Sequence, residues 1–182
     1  MREKITVLII LIILAITGSF LYDYNSTPSV KTPETVIISK HKQFPAVNFI
    51  NFNGKKFSIN DIQTPTILLN FWATWCSTCV AEMPNMLKLA QKMNGKIAII
   101  FLSIDENQQL AENFKNKLEK QGLNTSKNIY WAWDKNKEIS LNKFNILKTP
   151  ETIIINKNRQ MVDKVVGKYD WLNFSQHNMF KK

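Results

Sequence analysis

Residues 66–73, Thr66-Ile67-Leu68-Leu69-Asn70-Phe71-Trp72-Ala73, are apolar almost throughout and lead at once into Trp75-Cys76-Ser77-Thr78-Cys79, which holds both cysteines of the chain. A short apolar run without polar alternation predicts a strand covered on both faces. The period then changes. Val80, Met83, Leu87 and Ala90 recur at spacings of three and four, with Lys88, Gln91 and Lys92 elsewhere, and this predicts an amphipathic helix over 80–93 that Asn94-Gly95 terminates. Pro84 falls inside it, where it supplies no N–H and crowds the preceding turn, so a kink is expected there. A buried strand passing straight into a helix that opens on two cysteines confines the domain to a sheet covered by helices.

The rest of the chain continues the alternation. A second buried strand is predicted over 97–104, an amphipathic helix over 106–121 closing at Gly122, and a third strand over 128–133, on which Tyr130 and Trp131 face opposite ways. A further helix is read over 135–144, a hairpin from 152–156 and 160–166 about Lys157-Asn158, and a last helix over 170–180. Before all of these, 49–52 and 55–59 flank Asn53-Gly54, a pair that tolerates the positive φ angles of a tight two-residue turn. Strands alternating with helices indicate an α/β domain with a central sheet.

The amino terminus has a different character. Met1-Arg2-Glu3-Lys4 is a basic flank, and residues 5–21 form an almost unbroken apolar run, about 26 Å as a helix at 1.5 Å per residue. Residues 1–22 therefore read as a transmembrane anchor, or else a signal peptide, and either places the remainder of the chain outside the cytoplasm. The small residues after the run offer no clean A-x-A cleavage site, which favours the retained anchor, and no cysteine follows to accept a lipid. Residues 23–43 are rich in Ser, Thr, Pro and Lys, with only Val36-Ile37-Ile38 to bury, and read as a tether. The folded domain is expected over 44–182. The net charge of +10 comes from scattered lysines rather than a basic-aromatic array, so a solvated lysine surface is expected and not a nucleic-acid partner.

In an exported chain two cysteines could be a structural disulfide, but a bridge closing so short a loop restricts the unfolded chain little. A redox-active pair fits better. A cysteine at a helix start is favoured as thiolate by the backbone N–H groups and the helix dipole, which makes Cys76 the attacking residue. Cys79, one turn along the same face, resolves the mixed disulfide and is expected to be the more buried. Glu82 lies a further turn on, and is either a buried carboxylate that carries a proton or a solvated first-turn residue. Trp75 is placed to shield the thiol, Trp72 reads as core, and Trp131 and Trp133 as core or sheet-edge aromatics. Thr149-Pro150 reads from sequence alone as an ordinary trans turn. His41 and His177 stand alone in the tether and the tail, so a zinc site lacks ligands. Soft copper binding by the cysteine pair is an alternative of a different class.

Strand-Trp72-Ala73-Thr74-Trp75-Cys76-x-x-Cys79-x-x-Glu82-x-Pro84, followed by Thr149-Pro150-Glu151-Thr152, resembles the thioredoxin superfamily. Within it the chain is similar to the membrane-anchored TlpA-like and DsbE-like thiol-disulfide oxidoreductases of cytochrome c maturation, over residues 44 to the end. The resemblance implies a thioredoxin-like fold: a central mixed sheet flanked by helices, an N-terminal hairpin over 49–59 and an inserted helix-strand unit over 107–133. It implies that Cys76 is the nucleophile, Cys79 the resolving cysteine and Glu82 the acid that follows them. Pro150 is implied to be cis, with Thr149 offering its backbone to an extended substrate. Asn70 stands where ordinary thioredoxins bury an acid, which moves proton handling to Glu82. The Ser77-Thr78 pair departs from the family, which usually has a proline between the cysteines, and this bears on the redox potential. The activity implied is reduction of disulfides in exported client proteins such as apocytochrome c, with a membrane electron donor for re-reduction, no cofactor beyond the Cys76–Cys79 disulfide, and no metal. The implied location is the cell membrane, with one N-terminal anchor and the domain on the extracytoplasmic, periplasmic side. A general oxidant or isomerase of exported proteins is the alternative within redox chemistry.

Overall fold

The computed structural model describes residues 35–36, 42–123 and 126–176 of the 182-residue chain, all within the unit Pro33–Lys182. The expected anchor at 1–22, both histidines and the last residues of the expected final helix lie outside the described residues.

Among the described residues there are nine strands and two α-helices. In chain order they are β1 (Thr35–Val36), β2 (Lys42–Gln43), β3 (Phe49–Ile50), β4 (Lys56–Phe57), β5 (Thr66–Trp72), α1 (Ser77–Lys92), β6 (Ile97–Ser103), α2 (Gln108–Lys120), β7 (Ile129–Trp133), β8 (Glu151–Ile155) and β9 (Gln160–Val166). The main sheet runs β1-β9-β8-β5-β6-β7, with β2 also on β9. β5, β6 and β7 are parallel, whereas β8 lies antiparallel to β5 and β9 antiparallel to β8. The sheet is therefore mixed, and the fold is the thioredoxin-like α/β arrangement.

Every residue of β5 and β6 is buried, and the reason is that each face has its own cover. Leu68, Trp72, Ile97, Ile99 and Phe101 pack with Met83, Met86, Leu87 and Ala90 of α1. Ile67, Leu69, Phe71, Ala98, Ile100 and Leu102 point the other way, into a cluster with Phe44, Phe49, Ile59 and Ile146. Successive side chains on a strand face opposite sides, so a two-sided core demands the unbroken apolar runs seen in the sequence. α1 runs without a break through Pro84.

Four local expectations are revised. In the first hairpin, Gly54 N–H donates to Asn51 O at 2.9 Å and Asn51 N–H to Lys55 O at 3.0 Å, so the loop is one residue longer than a two-residue turn. Only Gly54 takes a positive φ, 78°. The Asn51 side chain accounts for this by accepting from Asn53 N–H at 3.0 Å and Lys55 N–H at 2.9 Å, an Asx-type arrangement that competes with a tight turn. The helix read over 135–144 is a single wide turn, Glu138–Lys143, closed by Phe144 N–H on Ile139 O at 3.2 Å. The Asp134 carboxylate holds its start, accepting from Ile139 N–H at 3.2 Å and Ser140 N–H at 2.7 Å. The final helix is a 3₁₀ turn, Trp171–Gln176, over the residues described. Lastly, Thr35–Val36 and Lys42–Gln43, inside the segment read as a tether, pair with β9 at the sheet edge.

Candidate active site

β5 ends at Trp72, whose carbonyl accepts from Ile104 N–H at 2.9 Å. The chain then leaves the sheet for three residues and re-enters regular structure at α1, with Cys76 as N-cap. Cys76 N–H donates to Ala73 O at 3.2 Å, a turn that aims the cysteine back across the sheet end. Its Sγ accepts from Cys79 N–H, also at 3.2 Å. This is the capping bond usually made by an oxygen, and it places an N–H against the sulfur that would carry thiolate charge.

Cys76 and Cys79 are joined as a disulfide, with Cα atoms 5.3 Å apart. Cys76 is 9% exposed and Cys79 only 1%, so an incoming reagent meets Cys76. Trp75 stands beside it with 65% of its surface exposed. Trp72 is core, edge-on to Trp131 at 5.8 Å.

Glu82 is buried, at 4% exposure, and is not a solvated first-turn residue. Its Oε2 accepts from Tyr169 N–H at 3.3 Å, while Oε1 has no hydrogen-bond partner. Burial pushes its pKa up from 4.5 to about 7, because an apolar surrounding penalises the ionised form. The opposing influences are smaller: the Tyr169 N–H, the nearby Trp171 indole, the Lys168 charge and the Asn70 amide. Trp171 Nε1 makes no hydrogen bond, and the Asn70 amide donates to Thr152 Oγ1 at 2.9 Å, so both act on Glu82 without a full bond to it.

The Thr149–Pro150 peptide is cis, the geometry that the family resemblance implied and the bare dipeptide did not. Phe71 is paired with Glu151 across the antiparallel ladder, which brings Pro150 to the end of the sheet where β5 gives way to the cysteine loop. Pro150 O accepts from Gly167 N–H at 2.8 Å, tying this loop to the segment that carries Lys168 and Tyr169 to Glu82. The start of α1, with Cys76, Cys79 and Glu82, and the Thr149–Pro150 loop thus come from two distant stretches to one end of the sheet.

Two contributors lie outside the sequence motifs. Tyr169 meets Glu82 through a backbone N–H, which any residue could supply. Asp105, just after β6, is buried and accepts from Thr74 N–H and Oγ1. An acid after an apolar strand, facing a hydroxyl after another, was the only cue to it. Among the described residues no group of three His, Cys, Asp or Glu side chains could hold a metal ion, and no helix is long and apolar enough to cross a membrane.

Comparison with known proteins agrees with this geometry. Residues 19–175 match the redoxin family. The thiol-disulfide oxidoreductase ResA of Bacillus thuringiensis (strain Al Hakam) is 33% identical over 125 residues, which cover 67% of this chain and 68% of that protein. The thioredoxin-like protein YneN of Bacillus subtilis is 27% identical over 71% of this chain and 79% of its own. Among solved structures, StoA from Bacillus subtilis superposes with a TM-score of 0.57 at 18% identity, covering 73% of this chain and 96% of that one. A DsbF homologue from Corynebacterium diphtheriae gives 0.63 at 12%, covering 82% and 93%; both share the fold. With a Cys-x-x-Cys disulfide at the start of the helix that follows the central strand of a thioredoxin-like sheet, the chain belongs to the redoxin family and is a thiol-disulfide oxidoreductase.

Proposed function

We propose that this oxidoreductase works outside the cytoplasm as a reductase of disulfides in exported client proteins, with apocytochrome c the leading client. The observation that carries the reading is the pairing of Cys76, the more exposed of the two cysteines, with a fully buried Cys79 and a buried Glu82 whose pKa is pushed up to about 7. In the reduced protein the Cys76 thiolate attacks one client sulfur. A Cys76–client disulfide forms, the client S–S bond breaks, and one client thiolate leaves. Glu82, as carboxylate, accepts the Cys79 proton. The Cys79 thiolate then attacks Cys76 Sγ and expels the second client thiolate. Two electrons have passed to the client, and the protein holds the Cys76–Cys79 disulfide. A membrane-bound dithiol carrier restores the dithiol by the same exchange in reverse, and Glu82 returns the proton. Trp75, exposed beside Cys76, and the Thr149–Pro150 loop supply the surface on which an extended client segment lies.

The direction of electron flow rests on family likeness, with Ser77-Thr78 departing from the family between the cysteines, and equilibration with a glutathione buffer tests it. A potential towards the thioredoxin end of the scale, about −270 mV, is expected; a value near the strongly oxidising end, about −120 mV, would show an oxidant instead. Attachment by residues 1–22 predicts that the intact protein sediments with membranes and resists salt extraction. Recovery of a shortened soluble form would mean a cleaved signal peptide.

A further inference from the structure

Asp105 is 1% exposed, and among the described residues the hydrogen bonds to its carboxylate come from two neighbours only. Thr74 N–H lies 3.1 Å from each oxygen, Thr74 Oγ1 donates to Oδ1 at 2.7 Å, and Ser103 Oγ donates to Oδ2 at 2.8 Å. The Asp105 N–H donates back to Ser103 Oγ at 3.1 Å, and its carbonyl accepts from the Trp133 indole at 2.7 Å. Neither of the ion pairs among the described residues involves it.

Removing a carboxylate from water without a counter-ion carries a large desolvation penalty when nothing compensates. Here the compensation comes from short, charge-assisted hydrogen bonds, and most of them grip one residue. Thr74 is two positions before Cys76, inside the turn closed by Cys76 N–H on Ala73 O. Holding Thr74 therefore holds the backbone from which Cys76 presents its sulfur to Cys79 N–H at 3.2 Å. That contact is sensitive to small displacements, because hydrogen bonds weaken steeply with distance and angle. The Trp133 indole extends the tie to β7, so the inserted helix-strand unit braces the cysteine loop.

We propose that Asp105 is a positioning residue for Cys76: by clamping Thr74 it keeps the sulfur within reach of the N–H groups at the start of α1, and so keeps the thiol acidic. This rests on Cys76 being the attacking cysteine.

The test is the pH dependence of iodoacetamide alkylation of the reduced full-length protein, with mass spectrometry locating the modified cysteine. In the unaltered protein the first label is expected on Cys76. Asp105→Ala should raise the alkylation midpoint by about one pH unit, a tenfold loss of thiolate below the midpoint. Thr74→Val, which keeps the carboxylate, should raise it by about half a unit. A carboxylate acting simply as a nearby charge gives the opposite pattern: its removal lowers the midpoint and Thr74→Val does nothing. That pattern, or an unmoved midpoint in both variants, overturns the proposal. Should Asp105→Ala fail to fold, Thr74→Val and Asp105→Asn carry the same test, since both loosen the clamp and only one removes the charge. Leu118→Ala, at a buried position of α2, should lower the melting temperature and leave the midpoint alone; an equal rise there would make the effect non-specific and overturn the assignment. First labelling at Cys79 would instead defeat the role given to Cys76 itself.

Discussion

Cys76→Ser is expected to abolish disulfide reduction, by about three orders of magnitude or more, equivalent to about 4 kcal/mol on the barrier. Cys79→Ser is expected to leave attack intact and stall the protein as mixed disulfides. The asymmetry comes from the site. Cys79 is 1% exposed, so with Cys76 gone no thiol remains that a client disulfide can approach. In the converse variant Cys76 keeps its activating contact, because the donor at 3.2 Å is the backbone N–H of residue 79 and survives the side-chain change. Non-reducing gels of extracts from cells expressing each variant read the outcome, and mass spectrometry of the trapped species names the clients. Equal residual activity in the two variants would refute the division of roles.

Glu82→Gln is expected to alter both the reaction's pH profile and the protein's stability. With the carboxylate gone, the limb of the rate profile near pH 7 should disappear, and transfer from Cys79 should slow by about 10²-fold, the range typical of a lost proton acceptor. The stability effect has a definite sign. Glu82 titrates at 4.5 when unfolded and at about 7 when folded, so between those values the native state binds the extra proton. Its contribution is fully favourable below pH 4.5 and is lost as pH rises through 7. Above that the buried carboxylate costs on the order of 3 kcal/mol at 1.36 kcal/mol per pH unit. Glu82→Gln should therefore stabilise the oxidised protein at pH 8.5 and change little at pH 4. Chemical denaturation at the two pH values is the measurement, and a gain of equal size at both would show that Glu82 is not the group titrating.

The central sheet was legible because its constraints are local. β5 and β6 sit between neighbouring strands under two covered faces, and such a strand has no choice but an unbroken apolar run. The cysteine pair was legible for a similar reason, since three residues of spacing at a helix start fix both sulfurs on one face. Where periodicity misled, side chains had rewritten the backbone. Asn51 accepts two N–H groups and lengthens the first turn, and Asp134 holds a wide single turn where periodicity predicted an α-helix. Both depend on a side-chain oxygen choosing backbone donors, and apolar spacing does not encode that choice.

The sequence by itself determined the α/β class, the order of the core strands and helices, and Cys76 and Cys79 as the reactive pair. Those derive from period, composition and spacing along neighbouring residues. Tertiary structure alone decided that Glu82 is buried, that Tyr169 and Lys168 reach it from beyond β9, and that Asp105 grips the cysteine loop from the end of β6. The physical reason is that a pKa is set by what surrounds a group in space. Neighbours from 31 residues away, as Thr74 and Asp105 are, or 87, as Glu82 and Tyr169 are, leave no trace in local spacing.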